Sequence, residues 1–340
     1  MTIREVARAA GVAVSTASVA FNRPQLVRPA TRARVLEAAR ALGYQPDAIA
    51  RRLASRRSRT VAAVVPGLAN PFYATIVEEI QVAAHSAGLD LILYDSRGRP
   101  DLEALHIDSL VRNRVEGVVF AGEHTGPGGP HDRRIRELAA GGMAVVLVER
   151  ALSDCTVPCI YADKEEGARK AVSHLLGLGH RRIAMVAGRL DIGGSHHRLK
   201  GYRAALEAAG VDFSPDLVAD GFFTPLGGYL ATRDLLNRCP GFTAVFVAND
   251  LMAIGVLKAL AEAGRQVPRD TSVVGFDNIP ESRFLTPGLS TVELPMAAIG
   301  RLAGKVLLQL LAGQEVRPAT MVMPVELVLR DSTAPAPGSA

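Results

Sequence analysis

Residues 2–22, TIREVARAAGVAVSTASVAFN, read as two short helices joined by a tight turn. Thr2 and Glu5 have the spacing of a capping box, and Ile3, Val6, Ala7 and Ala10 recur on one helical face. Gly11 breaks that helix. The run at 14–21 is rich in small and hydroxyl side chains, so it can approach another surface while Val12 and Phe21 anchor it from behind. The spacing predicts a helix-turn-helix whose second helix fits the major groove of DNA. An ordinary helical hairpin has the same local signals, and the charge distribution weighs against it. Residues 1–60 carry twelve arginines against Glu5, Glu37 and Asp47, a net charge of +9. The other 27 basic and 31 acidic residues leave −4 for 61–340. A cationic head on a slightly acidic body is what phosphate binding by one domain requires.

Outward from that stretch, a connector leads to a third helix expected at about 31–42, with Val35, Ala38, Ala39 and Leu42 inward and Gly43 as its stop. This gives a head at 1–46. A short hinge helix and an arginine-rich linker follow at 47–59, too short to be stable without packing. From Thr60 the pattern becomes short apolar strands alternating with amphipathic helices: TVAAVVP, LDLILYD, GVVFAG, AVVLVER, then CIYAD, RIAMVAG, LVADG, AVFVAN and TSVVGFD. Continuous apolar runs of this kind suit parallel sheets covered on both faces. The fold class is therefore α/β, with a two-lobed core at 60–332. Lobe one is expected at about 60–157 and 289–319, lobe two at about 158–288 and 320–332. Two segments, at 289–294 and 320–330, are placed to cross between lobes, and the tail at 333–340 is expected to be disordered.

The chain is long enough, and with 48% hydrophobic residues apolar enough, to bury at least two cores. It opens on a capped helix without a leader pattern, and no apolar run approaches a membrane span, so a cytoplasmic location is expected. Cys155, Cys159 and Cys239 are too few for a disulfide framework and lack zinc-finger spacing. No cofactor and no metal site is expected.

These residues resemble the lac and gal repressor family of bacterial transcription regulators. The match rests on an ordered series spanning nearly the whole chain: TIREVARAAGV with STAS and FN at the head, GYQPDAIARRL at 43–53, NPF at 70–72, GHRRIA, SHHRLKGYRAAL at 195–206, AVFVANDLMAIG at 244–255 and VPRDTSVVGFDN at 267–278. The resemblance implies a homodimer whose heads read near-palindromic double-stranded operator DNA. It also implies a core similar to periplasmic sugar-binding proteins, with a small-molecule effector between the lobes. Val14, Ser15 and Val19 match positions that touch base edges, where valine offers only apolar contact to a thymine methyl and Ser15 offers a donor or acceptor. Thr16, Ser18 and Asn22 suit phosphates. Arg51 falls in the hinge, and Leu53 matches a leucine that wedges into the minor groove. Without the family, Leu53 reads as the core of a short helix. Val19 stands where a polar residue is common, Ala13 where a serine N-cap is common, and Asp47 where asparagine is usual.

Effector residues are expected at the carboxyl ends of strands. These are Asn70 and Phe72 after the first strand, Asp95 after the second, Glu149 and Arg150 after the fourth, and Arg198, Phe223, Asn249 and Asp277 in the second lobe. Arg198, Asn249 and Asp277 match the family's polar effector contacts, and Phe223 an aromatic wall. A guanidinium, an amide and a carboxylate around an aromatic face suit a polyhydroxylated ligand such as a sugar, and a phenylalanine also walls purine sites. Asp95 and Glu149 read equally well as solvated strand ends, and Arg150 as structural. The rival classes are an α/β enzyme and a sugar-binding transport protein. No dinucleotide fingerprint, P-loop or nucleophile elbow supports the enzyme, and the basic head, with the expected lack of a leader, opposes the transport protein.

Overall fold

The computed structural model describes residues 1–22, 24–44, 58–122, 131–150, 152, 156–190 and 193–338. The expected hinge helix, with Asp47, Arg51 and Leu53, lies outside the described residues, as does Cys155. The chain divides into two compact units, Met1–Arg59 and Thr60–Ala340.

The head is built from α1 (Ile3–Ala9), α2 (Val14–Asn22) and α3 (Pro29–Ala41). The Glu5 carboxylate turns back to accept from the Thr2 backbone N–H at 2.6 Å, and this bond holds Glu5 below its usual pKa. Gly11, at φ +63°, ends α1 in a left-handed turn. There Val12 N–H donates to Ala7 O at 3.0 Å and Gly11 N–H to Arg8 O at 3.2 Å. Gly43 repeats the device at the end of α3. The helices close on Val6, Ala7, Ala10, Ala17, Ala20, Val35 and Ala39, with Val12, Phe21 and Leu42 at the margin. Helix α3 starts two residues earlier than expected because Pro29 sits at its first position, where its missing N–H costs nothing.

In the core, β1 (Thr60–Val65), α4 (Pro71–Ser86), β2 (Asp90–Asp95), α5 (Pro100–Arg112), β3 (Gly117–Ala121), α6 (Asp132–Ala140), β4 (Ala144–Val148) and β5 (Cys159–Ala162) form the first series. The second comprises α7 (Lys164–Gly177), β6 (Ile183–Ala187), α8 (Gly193–Ala208), β7 (Val218–Asp220), α9 (Pro225–Arg238), β8 (Ala244–Val247), α10 (Asp250–Glu262), β9 (Ser272–Asp277) and β10 (Ser290–Glu293). The chain ends with α11 (Met296–Leu311), β11 (Thr320–Met323) and β12 (Glu326–Val328). One sheet has the order β11-β5-β4-β3-β1-β2 and is parallel throughout. The other has the order β12-β10-β9-β8-β6-β7, with only β12 antiparallel. The helix layers lie close where small residues meet. A Cβ on Gly255 would fall 1.9 Å from Pro225 O, so α10 and α9 touch backbone to backbone there.

All three expected lobe boundaries move, and β11 (Thr320–Met323), expected in lobe two, lies in the first sheet beside β5. CIYA belongs to the first sheet, not the second, because β5 pairs in parallel with β4 and Cys159 N–H donates to Ala319 O just before β11. The segment at 290–293 lies in the second sheet as β10, while α11 returns to pack on α4 and the first sheet. The chain therefore crosses between sheets three times: after Ala162, at Leu294 and Pro295, and at Pro324 and Val325.

The tail is also a correction. Residues 333–338 lie against the second lobe, held by polar contacts that its composition hides. Ser332 is fully buried: its hydroxyl donates to Val273 O at 2.6 Å and accepts from Ser290 N–H at 2.8 Å. Ala334 O lies 3.0 Å from Nε2 of the buried His180, whose Nδ1 is 2.8 Å from the Thr243 hydroxyl. Burial holds the His180 pKa below its usual value. Ser332→Ala should leave Val273 O and Ser290 N–H without this partner and lower unfolding free energy by about 1–3 kcal/mol. Urea denaturation checks this, and an unchanged midpoint would mean that the tail contributes no order.

Candidate functional site

In the head, α2 presents Val14 and Ser15 to solvent, while Ala17 and Ala20 face the head's core. Val14 is 44% exposed, and this apolar side chain faces outward together with the Ser15 hydroxyl. Thr16, Ser18 and Val19 are half-buried along the flanks of that face. Asn22 ends the helix. Ala13, immediately before α2, carries no side-chain acceptor for the helix's first N–H groups, a loss worth about 1 kcal/mol.

In the core, the carboxyl ends of both sheets face one cavity of about 560 Å³, within the range of small-molecule sites. Its walls come from both lobes. Asn70 caps α4, accepting from Phe72 N–H at 3.0 Å, and Phe72 packs edge-on against Tyr73 with ring centroids 5.0 Å apart. Opposite them, Asn249 caps α10 by accepting from Met252 N–H at 2.9 Å, which leaves its amide nitrogen 3.5 Å from Phe223 O. Phe223 lies against the bare backbone of Gly188, where a Cβ would come within 1.9 Å of the ring. Arg198, reaching in from α8, places its guanidinium 4.5 Å from the Phe276 ring centroid and 5.8 Å from that of Phe223.

Two buried ion pairs form the floor. Arg198 donates to Asp277 Oδ1 at 3.4 Å. Lys164, the first residue of α7, lies 2.5 Å from Glu149 Oε2, while Ala162 N–H donates to Glu149 Oε1 at 2.9 Å. Glu149 belongs to the first lobe and Lys164 to the second, so this pair spans the first crossing of the chain. Burial, the largest influence, raises Asp277 to about 7. Arg198 opposes that rise and Glu149 adds to it. Behind it, the Asp250 carboxylate accepts from the Thr291 hydroxyl at 2.6 Å and from Ile279 N–H at 3.0 Å, and burial raises its pKa well above the usual range.

Seven of the nine strand-end residues named from sequence line this cavity: Asn70, Phe72, Glu149, Arg198, Phe223, Asn249 and Asp277. Asp95 does not. Its carboxylate is turned into the first lobe's loops, accepting from Arg97 N–H at 2.8 Å and Leu68 N–H at 3.4 Å. Asp220 does the same in the second lobe, accepting from Phe222 N–H at 3.0 Å and Leu190 N–H at 3.4 Å. In both lobes the residue two positions on, Arg97 or Phe222, has positive φ. Arg150 is structural, as one of its readings had it: it is buried against Glu103 at 2.7 Å and Asp132 at 3.2 Å. Sequence reasoning missed Lys164, Arg97 and Arg189, which also line the cavity. The strand-end rule, extended to the fifth and sixth strands, finds Lys164 and Arg189. His196 and His197 are both exposed, and among the described residues no group of three or more potential ligands could hold a metal ion.

The raised Asp277 pKa carries a stability prediction. A carboxyl whose folded pKa exceeds its unfolded one stabilises the fold below the unfolded value and loses that contribution as pH rises through the folded value. The window runs from 3.8 to about 7. Across it Asp277→Asn should flatten the decline in urea stability by on the order of a few kcal/mol relative to the unmodified protein. Parallel pH profiles would contradict the assignment.

Residues 2–47 match the model of bacterial regulatory proteins of the lacI family, and residues 172–333 that of a periplasmic binding protein-like domain. The chain is 34% identical over 336 residues to the HTH-type transcriptional repressor CytR of Escherichia coli (strain K12), covering 99% of this chain and 97% of that one. Among solved structures, the lac repressor dimer bound to operator and the anti-inducer ONPF has a TM-score of 0.87 and 30% identity, covering 98% of this chain and 99% of that one. A complex of the transcriptional regulator CelR with cellobiose has a TM-score of 0.74 and 34% identity, with coverage of 98% and 99%. No helix of the described residues is long and apolar enough to cross a membrane. Matched at head and core, and aligned with relatives along nearly their whole length, the chain belongs to the lacI family of bacterial regulatory proteins.

Proposed function

We propose that this chain is a cytoplasmic, non-enzymatic transcriptional repressor. It acts as a homodimer on near-palindromic operator DNA, and its operator affinity is set by a small polyhydroxylated effector. The observation that carries this reading is a cavity walled by both lobes of a core joined to a basic helix-turn-helix head. A ligand that touches both walls has different contacts in open and closed arrangements, and that difference is what lets it bias the angle between lobes. The floor favours hydroxyl groups. Carboxylate and guanidinium side by side offer an acceptor and a donor to adjacent hydroxyls, while Phe223 and Phe72 present apolar faces to ring carbons. The operator-bound lac repressor dimer and the CelR–cellobiose complex support both halves of the reading.

On the DNA side, Val14, Ser15 and Val19 read base edges, Thr16, Ser18 and Asn22 hold phosphates, and Arg51 and Leu53 act in the hinge. Leu53 wedges between base steps, and that bend is realised only on the operator. Leu53→Ala should weaken operator binding about tenfold or more, roughly 1.4 kcal/mol, while changing binding to unrelated DNA less than threefold. Fluorescence anisotropy on both DNAs checks this; an equal loss on both removes the wedge role. On the effector side, Phe223→Ala should weaken the effector response about tenfold or more by removing the aromatic wall. A normal response in that variant would place the effector elsewhere.

A further inference from the structure

Backbone strain is concentrated at the cavity. Among the described residues, eight other than glycine have positive φ, and five of them line it: Arg97, Glu149, Phe222, Phe223 and Asp277. A conformation that an L-residue rarely adopts persists only where its surroundings over-determine it. Asp95 fastens the turn at Arg97, and Asp220 the turn at Phe222. Glu149 is fastened by its own carboxylate, through Ala162 N–H and Lys164. Asp277 has the largest positive φ of the set, +104°, far from the left-handed minimum at about +57°. Its carboxylate lines the cavity beside Arg198, and the fastening falls to the next residue, Asn278, itself at φ +56°. Asparagine tolerates that region better than most side chains.

The Asn278 amide is held at both ends. Its Oδ1 accepts from Arg330 Nη2 at 2.7 Å, and its Nδ2 donates to Glu293 Oε2 at 3.2 Å. Arg330 is clamped in turn. Its Nη1 donates to Leu289 O at 2.6 Å and lies 3.2 Å from the Ser282 hydroxyl, which donates to Ile279 O at 2.7 Å. Both partners of Asn278 stand beside the chain's crossings. Glu293 ends β10, immediately before Leu294 and Pro295, and is the register partner of Asp277. Arg330 follows β12, the strand entered after Pro324 and Val325. Resting on the effector reading above, we infer that Asn278 is a positioning residue: it holds the Asp277 carboxylate in the cavity and ties it, through Glu293 and Arg330, to the strands flanking the second and third crossings. A change in the angle between lobes displaces the ends of those strands and reaches Asp277 through two hydrogen bonds. A ligand on Asp277 pulls on the same ties.

The test follows the carboxyl resonances of the full-length protein, labelled with carbon-13 at aspartate, as pH is varied. The resonance missing from Asp277→Asn is that of Asp277, and its midpoint in the unmodified protein is expected at about 7. Two variants loosen the tie. Asn278→Gly keeps the left-handed turn and loses both contacts. Arg330→Lys keeps the charge and loses the forked donors that reach Asn278 and Leu289 together. Each should move the midpoint by at least about one pH unit. Burial and Arg198, the two largest influences on Asp277, both depend on where its carboxylate points. The double variant should move it little further, because both changes cut one tie. Circular dichroism checks folding, and Arg330→Lys, the milder change, carries the test if Asn278→Gly does not fold. A midpoint unmoved in a folded variant, even one of lowered stability, overturns the inference, as does a midpoint near 3.8 in the unmodified protein. A low-molecular-weight filtrate of bacterial cytoplasm then probes the response: either variant should need about tenfold more filtrate for the same change in retention of operator fragments. A moved resonance with an unchanged response would overturn the link from Asn278 to effector binding. No response even in the unmodified protein would sink the effector reading itself.

Discussion

The two lobes are joined by three adjacent crossings of one chain, and the site depends on that constraint. Each crossing is short: one residue separates β5 from α7, and two separate β10 from α11 and β11 from β12. Connections this short hold the sheets' carboxyl ends facing each other while leaving their angle adjustable, the arrangement that hinge closure requires. The buried Glu149–Lys164 pair sits on one of these crossings. A buried pair of this kind is costly to break by removing one partner, and its net contribution to stability is small. Its value here is positional, because it fixes the floor of the cavity and brings a charged cavity-lining group to the crossing between the lobes.

The lobes also repeat one local device. Asp95 and Asp220 end equivalent edge strands, and each fastens the loop after its neighbouring strand with the same pair of backbone contacts. The residue thrown into positive φ by this turn is Arg97 in one lobe and Phe222 in the other, and both line the cavity. One scaffold thus presents a cation on one wall and an aromatic on the other. Within this shared framework the lobes differ in what stands two residues past the fastening aspartate, and in the fastened loops themselves, where Gly67 precedes Leu68 and Arg189 precedes Leu190.

Much of this was legible in the sequence. Apolar runs located the strands, capping and glycine signals located the head, and the strand-end rule gathered seven cavity residues. What escaped was information carried by distant partners. The run CIYA announces a buried strand without naming its neighbour, and its partner β11 lies about 160 residues on. The tail looks polar and proline-rich, yet it is ordered by Ser272, His180 and Val273, far from it in sequence. Asp95 satisfies the strand-end rule and still faces away from the cavity, because the backbone N–H groups of Arg97 and Leu68 hold its two oxygens. The hinge residues Arg51 and Leu53 are assigned by family resemblance alone.

The central claim is that a molecule in the cavity changes what the head does on DNA. It is tested most directly by selecting genomic fragments on the full-length protein at near-physiological salt, with and without a low-molecular-weight filtrate of bacterial cytoplasm, and sequencing what is retained. The account predicts retention of fragments sharing a short near-palindrome, a change in their retention when the filtrate is added, and no such change for the Phe223→Ala protein. Fragments with no common sequence, or a shared sequence retained identically under both conditions, would contradict it.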